Sequence, residues 1–525
     1  MTARWNPPVE FSPREDKLCK RLKTTGRLFV FLRKVRHQLF DDATQEKLES
    51  IHASKPRGTE PKPAAMMVMV VLLQSYTRCS DDEAVRRAEM DGAWRMVLGV
   101  PDSDEPLFSK ATLVEARKSL VANHLDEFIL RRTIDFARES KLFDPAKLAR
   151  LRIAIDSAPL EGLGRVEDTL NLLGSALWVL VSTMAVTLMV PVEQIVNEAN
   201  LQLLSATSIK RGMDLDWSAP NAVDRGLEQM FREIQRVQAW IETNSQEWHF
   251  RDGLVLRAHE QLFRIVLQDV EIKEDGSPKI RQGVTPDRQI SIEDEEMRHG
   301  RKTKSERIDG YKRYSSCSLD IGLKMAACVL PANVGEAHGA DKMKPTLEQL
   351  GQVCEAHVDR AFLPSKLVEQ VAQTGRVVCR PYMASAAAGR HGKHRFEIDL
   401  ETKTVICPAG EKAAIRGKKA QFSLATCQAC PQRQQCQKED SKQGRSVSLH
   451  PKEALLQTLK QRQATAEGRA ELRERTVVEH GLAHLCNRQG PRARYIGVKK
   501  NDYDVRRHAA VDNLFWAERQ FSVAV

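Results

Sequence analysis

The strongest constraint on this chain is a change of period at Leu151-Arg-Ile-Ala-Ile-Asp156, where helical spacing gives way to alternation. Alternation marks a strand, and this one is predicted to end at an acid just before a Ser-Ala-Pro turn. The residues before it read as helical. Pro63 followed by an apolar run to Leu73 predicts a buried helix, and Ser80-Asp-Asp-Glu83 and Thr112-Leu-Val-Glu115 both fit a capping box, in which hydroxyl and carboxylate reciprocally satisfy free backbone donors. The helix expected from Thr112 carries Arg117 and Lys118 early and Arg131 and Arg132 later, with Leu113, Ala116, Leu120 and Val121 at helical spacing. A helical bundle that touches DNA would look like this, and so would a plain bundle.

Further strand signals come only after a long interval. Residues 311–320 and 323–330 alternate around Ile321-Gly322 as a β-hairpin would, residues 355–362 and 376–382 supply two more strands, and residues 340–353 look helical between them. The order predicts a mixed α/β sheet interrupted by a mostly helical insertion. Residues 384–393 are the one linker-like stretch, and no internal repeat is evident. Residues 172–192 are uncharged and about as long as a bilayer-spanning helix requires. A single span there would put Asp156 and Asp359 on opposite sides of a membrane, so a buried helix or helical hairpin is expected instead.

A chain of 525 residues exceeds one ordinary core, so two or three units or one core with large insertions are expected. The net charge of +11, from 81 Lys+Arg against 70 Asp+Glu, favours a polyanionic partner. Two stretches concentrate it, residues 298–313 and 488–507, each with seven Lys/Arg against two acids. A solvated face explains either run equally well. Eleven cysteines spread over so long a chain, behind a polar start without a secretory signal, suggest reduced thiols in a cytoplasm.

Two acids fall at strand ends. Asp156 ends the first strand, and Asp359, in His357-Val-Asp-Arg-Ala-Phe362, lies at or near the end of the fourth. If those strands are neighbours the carboxylates converge, and acids held close usually persist because a divalent cation sits between them. A turn or helix cap is the ordinary role of any one such Asp. Glu479 stands in a helical segment, Arg473-Glu-Arg-Thr-Val-Val-Glu-His480, where Arg475 four residues earlier also fits a surface ion pair.

Taken in order, Ile155-Asp156-Ser157, His299-Gly-Arg-Lys302 with Gly310-Tyr-Lys312, Val358-Asp-Arg-Ala-Phe362 and Arg475-x3-Glu479 resemble successive motifs of the DDE transposases of bacterial insertion sequences, over residues 40 to 520. The cysteine-bearing insert is similar to that of one branch, the IS eleven-eighty-two group. The resemblance implies an α/β chain with an RNase H-like mixed-sheet catalytic core and a large helical insertion, preceded by an α-helical N-terminal domain. The expected division is a DNA-binding helical domain at 1–148, the catalytic core at 149–170, 299–400 and 450–525, the helical insertion at 171–298 and a cysteine-rich insert at 401–449.

The resemblance also implies a catalytic triad at Asp156, Asp359 and Glu479 holding two Mg²⁺ or Mn²⁺ ions about 4 Å apart, which suit phosphoryl transfer to water or to a DNA 3′-hydroxyl. Arg301, Lys302, Lys304, Lys312 and Arg475 are the candidate phosphate contacts, which position DNA without reading its sequence. The expected partners are double-stranded DNA, as terminal inverted repeats and target, and a second copy of the chain, in a bacterial cytoplasm at the nucleoid. Four positions depart from the family pattern. Asp359-Arg-Ala-Phe362 stands where relatives often have Asp-Arg-Gly-Tyr, and Leu472 and Cys486 stand where related enzymes place Tyr and Lys. A decayed transposase that only binds DNA, or a nuclease of the same fold, are the rival readings, and His338, His357 and His480 are the bases such a nuclease could use.

Cys407, Cys427, Cys430 and Cys436 have the spacing C-x19-C-x2-C-x5-C in a basic, loop-rich stretch. Four thiolates can close a tetrahedral structural Zn²⁺ site. Free thiols, or a redox pair at Cys427 and Cys430, are the alternatives.

Overall fold

The computed structural model describes residues 4–49, 61–100, 106–244, 253–283, 285–302, 305–382 and 389–524. Lys304, and residues 384–388 of the linker-like stretch, lie outside the described residues.

The apolar run after Pro63 forms helix α1 (Ala64–Thr77), whose residues are buried from Ala64 to Ser75. A helix apolar on every side has to be surrounded, and α1 is. Ser80 caps the next helix through a 3.1 Å bond from the Glu83 amide. The helix expected at Thr112 starts earlier, at Lys110–Ala122, because Ser109 takes the cap and accepts from the Thr112 amide. It also does not continue to Arg131 and Arg132. Asn123 and left-handed His124 end it, and a second helix, Leu125–Glu139, carries those arginines.

The main sheet is built from β1 (Arg150–Glu161), β2 (Arg298–Arg301), β3 (Arg307–Ser318), β4 (Lys324–Pro331), β5 (Gln352–His357) and β6 (Arg376–Val378). Its order is β4-β3-β1-β5-β6, with β2 paired to the start of β3 on the β4 side. The β3–β1 and β3–β4 pairs are antiparallel, whereas β1–β5 and β5–β6 are parallel. β1 does not stop at Asp156 but runs on to Glu161, because its β3 edge stays paired from Ile153 opposite Ser318 to Glu161 opposite Gly310. The β5 edge is lost after Ala154 opposite His357. Pro159 is tolerated in this one-sided extension, where only one edge is laddered. Gly310 makes the close crossing possible. Its φ is +151°, and a Cβ there would lie 2.2 Å from the Gly162 nitrogen. The strand expected over 355–362 ends at His357, and Asp359 instead caps a single 3₁₀ turn, Arg360–Phe362.

Between β1 and β2 lies a helical cluster with its own core, formed by α2 (Thr169–Leu188), α3 (Ala222–Asn244) and α4 (Gly253–Asp269), and finished by a small hairpin, Val270–Ile272 with Pro278–Ile280. α2 is long and apolar enough to cross a membrane by length and composition. Leu172, Leu173, Leu177, Leu180 and Val181 are nevertheless buried in that core with Leu227, Met230 and Leu262 from α3 and α4.

One sheet face packs on α5 (Glu336–Leu350) and helix Lys366–Thr374, through Ile153, Ile155, Tyr314 and Cys328. On the opposite face lie Leu160, Tyr311, Ala327 and Val329, sharing a core with the N-terminal helices and with the last helices, α6 (Thr476–Gln489) and α7 (Val498–Ala524). α7 also closes the exposed side of β4, an edge that would otherwise offer unpaired backbone groups. Asn513 accepts from the Lys324 amide at 2.7 Å and donates to the Lys324 carbonyl at 3.0 Å, and Asp502 accepts from the Val329 amide at 2.6 Å. Substituting Asn513→Leu strands both Lys324 backbone groups in the interior. We expect a loss of about 1–3 kcal/mol in chemical denaturation, and a loss below the error of that measurement would mean water replaces the side chain.

The arginines of the basic run 488–507 prove to be engaged within the chain, while Lys499 and Lys500 are exposed. Arg488 pairs with Asp512, Arg494 with Asp81, Arg506 with Asp126 and Arg507 with Asp504, and Arg492 donates to the Gly162 and Leu163 carbonyls. Arg492, Arg494 and Arg506 fasten this stretch to the rest of the chain, whereas Arg488 and Arg507 pair within the C-terminal helices.

Candidate functional site

Strand alternation sets the site. Ala154 and Asp156 are two apart in β1 and therefore share a face. Ala154 is buried there with Cys317 of β3 and Val478 of α6, so α6 lies over the same face and Glu479 follows Val478 directly. Asp156 comes just after the last residue of β1 paired to β5, where the two strands part. Asp359 comes two residues after β5 ends. The parting strands thus leave an opening with an aspartate on either side.

That opening is a cavity of about 450 Å³, lined among others by Asp156, Asp359, Arg475, Arg301, Lys302 and Lys312. The predicted residues Asp156 and Asp359 therefore meet, together with four of the five basic candidates. Glu479 is exposed and not among the lining residues. Its charge still acts on Asp156 and on Arg475.

Arg475 ends helix Ala466–Glu474 and begins α6, and its side chain reaches across the opening. One end of the guanidinium bonds Asp359, and the other lies 3.4 Å from Asp156. The residue expected to meet phosphate is thus held by two of the three acids. Burial, with the nearby charges of Asp359 and Glu479, pushes the Asp156 carboxyl above its ordinary range, while the Ser157 amide at 2.8 Å and Arg475 pull the other way and lose. Arg475 is itself shifted up: burial opposes this, but the bond to Asp359 and the fields of all three acids outweigh it. Three carboxylates share one guanidinium, which leaves a surplus of negative charge and hard oxygen donors, a donor set that suits Mg²⁺ or Mn²⁺.

Lys312 lies 3.1 Å from Glu336, in the first turn of α5, and donates to the Val334 carbonyl. Glu336 is a third acid lining the cavity, beside Asp156 and Asp359, and its second carboxylate oxygen is buried without a hydrogen-bond partner. Sequence reasoning misses it, because a glutamate at a helix start has an ordinary explanation in the helix dipole. Cys486 sits in the fields of Arg313, Lys324 and Lys302 and of Asp156. Burial is the largest influence on its thiol and raises it.

A different group is the tightest one. Among the described residues, the trio of ligand atoms lying within 4.8 Å of one another is Glu355, His357 and Glu474. Arginines already neutralise it: Arg152 meets Glu355 at 2.8 Å and Glu474 at 2.7 Å, and Arg376 bonds Glu355 as well. Burial works against the Glu355 charge, but His357, Arg152 and Arg376 hold its carboxyl down to about 2. His357 is fully buried 2.6 Å from Glu355, out of reach of any substrate. This network braces β1, β5 and the helix that leads into Arg475.

The four cysteines predicted to act together do line one pocket. The surrounding loop-rich stretch is organised as an antiparallel meander of short strands, β7 (Glu397–Asp399), β8 (Thr404–Ile406), β9 (Lys412–Arg416), β10 (Lys419–Gln421) and β11 (Ser446–Ser448), with Cys427, Cys430 and Cys436 between the last two.

Two family models match the chain. The Transposase DDE domain matches residues 403–515, and the Transposase domain (DUF772) matches residues 14–119. The first covers the last four strands of the meander, Arg475, Glu479 and most of α7, and the second covers the N-terminal helices up to residue 119. Neither reaches Asp156 or Asp359. No curated protein and no solved structure matches. From opposite ends of the chain, the two matches support a DDE transposase of insertion sequences.

Proposed function

We propose that this chain is the transposase of an insertion sequence, which binds the terminal inverted repeats of its element and carries out DNA strand cleavage and strand transfer at Asp156, Asp359 and Glu479. The observation that carries the reading is the convergence of Asp156 and Asp359 on Arg475 at the mouth between two parallel strands, with Glu479 delivered alongside by α6. The sheet supports an RNase H-like core. It has three antiparallel strands followed by two parallel ones, in the order β4-β3-β1-β5-β6. The cysteine-bearing meander between the second and third acids supports the IS eleven-eighty-two branch.

The three acids would hold the divalent cations, Mg²⁺ or Mn²⁺, which supply activation of the attacking oxygen and stabilisation of the leaving one. The chain's own residues do the positioning. Arg301, Lys302 and Lys312 line the same cavity and are placed to hold backbone phosphates on either side of the scissile bond. Arg475 keeps Asp156 and Asp359 from repelling each other until substrate and cation arrive, and is then within reach of a phosphate oxygen. A second place with basic groups is a pocket beside helix Lys110–Ala122, lined by Lys118, Lys499 and Lys500 together with Tyr495 and Tyr503. It suits the N-terminal helices to hold an end sequence while the core cuts. A site that acts on two DNA ends calls for two copies, so we place a homodimer on DNA, at the nucleoid of a bacterial cytoplasm.

The test is cleavage and strand transfer on labelled DNA carrying the element's own ends, with Mg²⁺, Mn²⁺ or chelator. Cut and joined products that need the cation are expected. Specific binding without products, from folded protein, would identify a decayed transposase, in keeping with Ala361-Phe362, Leu472 and Cys486. Cutting without joined products would identify a nuclease.

A further inference from the structure

We infer that Cys407, Cys427, Cys430 and Cys436 form a structural Zn²⁺ site that folds the five-stranded meander. Three observations carry this beyond the residue spacing. First, all four side chains line a single pocket, with Phe396, Phe422 and Arg445 as its walls. Second, each cysteine is presented by a tight local structure. Cys407 opens a turn in which Gly410 donates to the Cys407 carbonyl at 2.8 Å, with Gly410 at φ +87°. Cys427 and Cys430 flank the end of the short helix Leu424–Gln428, and Cys436 ends Arg433–Cys436. Third, the Arg445 amide donates to the Cys427 sulfur at 3.3 Å, and its guanidinium donates to the Cys436 carbonyl at 3.2 Å. Amide donors to sulfur and a nearby cation are the surroundings that stabilise bound thiolates.

The meander also needs such a site. Its own core is six buried residues, Phe396, Val405, Ala413, Ala420, Phe422 and Val447, and a unit that small rarely holds without a staple. A disulfide would join only two of the four thiols. Zinc takes four and leaves no open position, so the role is structural. The thiols are spaced more openly than the Glu355 trio, so the ion has to draw the turn and the two short helices together. The other sulfurs, Cys19, Cys79, Cys317, Cys328, Cys354, Cys379 and Cys486, are dispersed through the remaining elements.

The test uses the full chain, purified without added metal. We expect zinc to co-purify at about one equivalent, with an X-ray absorption shell of four sulfurs near 2.3 Å. Replacing it with Co²⁺ should give the intense visible bands of tetrahedral thiolate coordination, and these should be lost in Cys427→Ser with Cys430→Ser. If that double variant fails to fold, wild type still decides the matter. Zinc should be released in step with modification of the four thiols, mapped by mass spectrometry of the alkylated peptides. Metal-free protein in which these four thiols react as fast as an unfolded control, or a Cys427–Cys430 disulfide in the same peptides, would overturn the proposal.

Discussion

Asp156→Asn is expected to abolish strand cleavage and yet to raise the melting temperature of the metal-free protein. The loss follows from the proposed role. Charge stabilisation by a bound cation is worth several kcal/mol, so losing a ligand costs about 10³-fold or more in rate. The gain follows from the site as it stands. Asp156 is partly buried, its carboxyl is raised above the ordinary value of 3.8, and it shares Arg475 with Asp359 and Glu479. A carboxyl with a raised folded pKa binds its proton more tightly in the folded chain than in the unfolded one. Its cost to stability is therefore absent below pH 3.8, grows as the pH climbs through the window above 3.8, and is complete above the folded pKa. The advantage of the Asn variant should follow that curve and vanish in acid. Added Mg²⁺ or Mn²⁺ should reverse the ranking, because ligand binding stabilises only the chain that retains the ligand set, by about 2.7 kcal/mol at a hundredfold excess over Kd. Thermal melts with and without cation, beside the cleavage assay, check all of this. An Asn variant that is less stable at neutral pH without cation would show that Asp156 is an ordinary structural acid.

Such a trade of stability for a charged cluster also bears on how much could be read from the sequence. The strands were legible because alternation reports burial directly: residues 311–320 and 323–330 fold as the hairpin their pattern predicts, at Arg307–Ser318 and Lys324–Pro331. Strand ends were not. β1 outruns its predicted end because β3 keeps pairing with it, and no local residue at Ser157 or Pro159 announces a partner more than 150 positions away. Asp156 and Asp359 stood out only through the ordered motifs that resemble those of DDE transposases, since an acid at a strand end taken alone reads as an ordinary turn or helix cap. Glu336 did not stand out, since only the approach of α5 to the cavity distinguishes it from a routine helix-start acid. Charge runs misled most. Residues 488–507 look like a nucleic-acid stripe, but Arg488, Arg494, Arg506 and Arg507 meet acids from α7 or from the N-terminal helices. Composition counts charges, and only tertiary structure says which are already paired.

Arg507 illustrates the point and carries the second large effect. It is buried in α7, 2.6 Å from equally buried Asp504, and donates to Gln74 of α1 at 3.0 Å, while Gln489 of α6 donates to Asp504 at 2.9 Å. Removing one member of a buried pair leaves an uncompensated charge, so Arg507→Met should cost about 3–5 kcal/mol. Asp504→Leu with Arg507→Met should cost clearly less than the two single changes added together. His508 supplies a finer test. It lies 3.8 Å from Asp504 and 2.7 Å from the Ser75 hydroxyl, and its pKa is depressed from 6.5 to about 3, by burial first and then by Arg507, Arg488 and Arg494, against the pull of Asp504. In the native chain it is therefore neutral, and stability should fall as the pH drops from 6.5 towards 3, where the unfolded chain takes up the proton first. Without Arg507 the balance around His508 tips towards Asp504, and the ring can accept a proton and supply the missing cation. The penalty of Arg507→Met should then be largest at about pH 8 and shrink towards about pH 5.5, where histidine protonation becomes accessible. Urea unfolding of both proteins across that range measures it. A penalty that stays constant with pH would mean that His508 does not sense Asp504, and a penalty under about 1 kcal/mol would place the pair among exposed salt bridges, contrary to its burial.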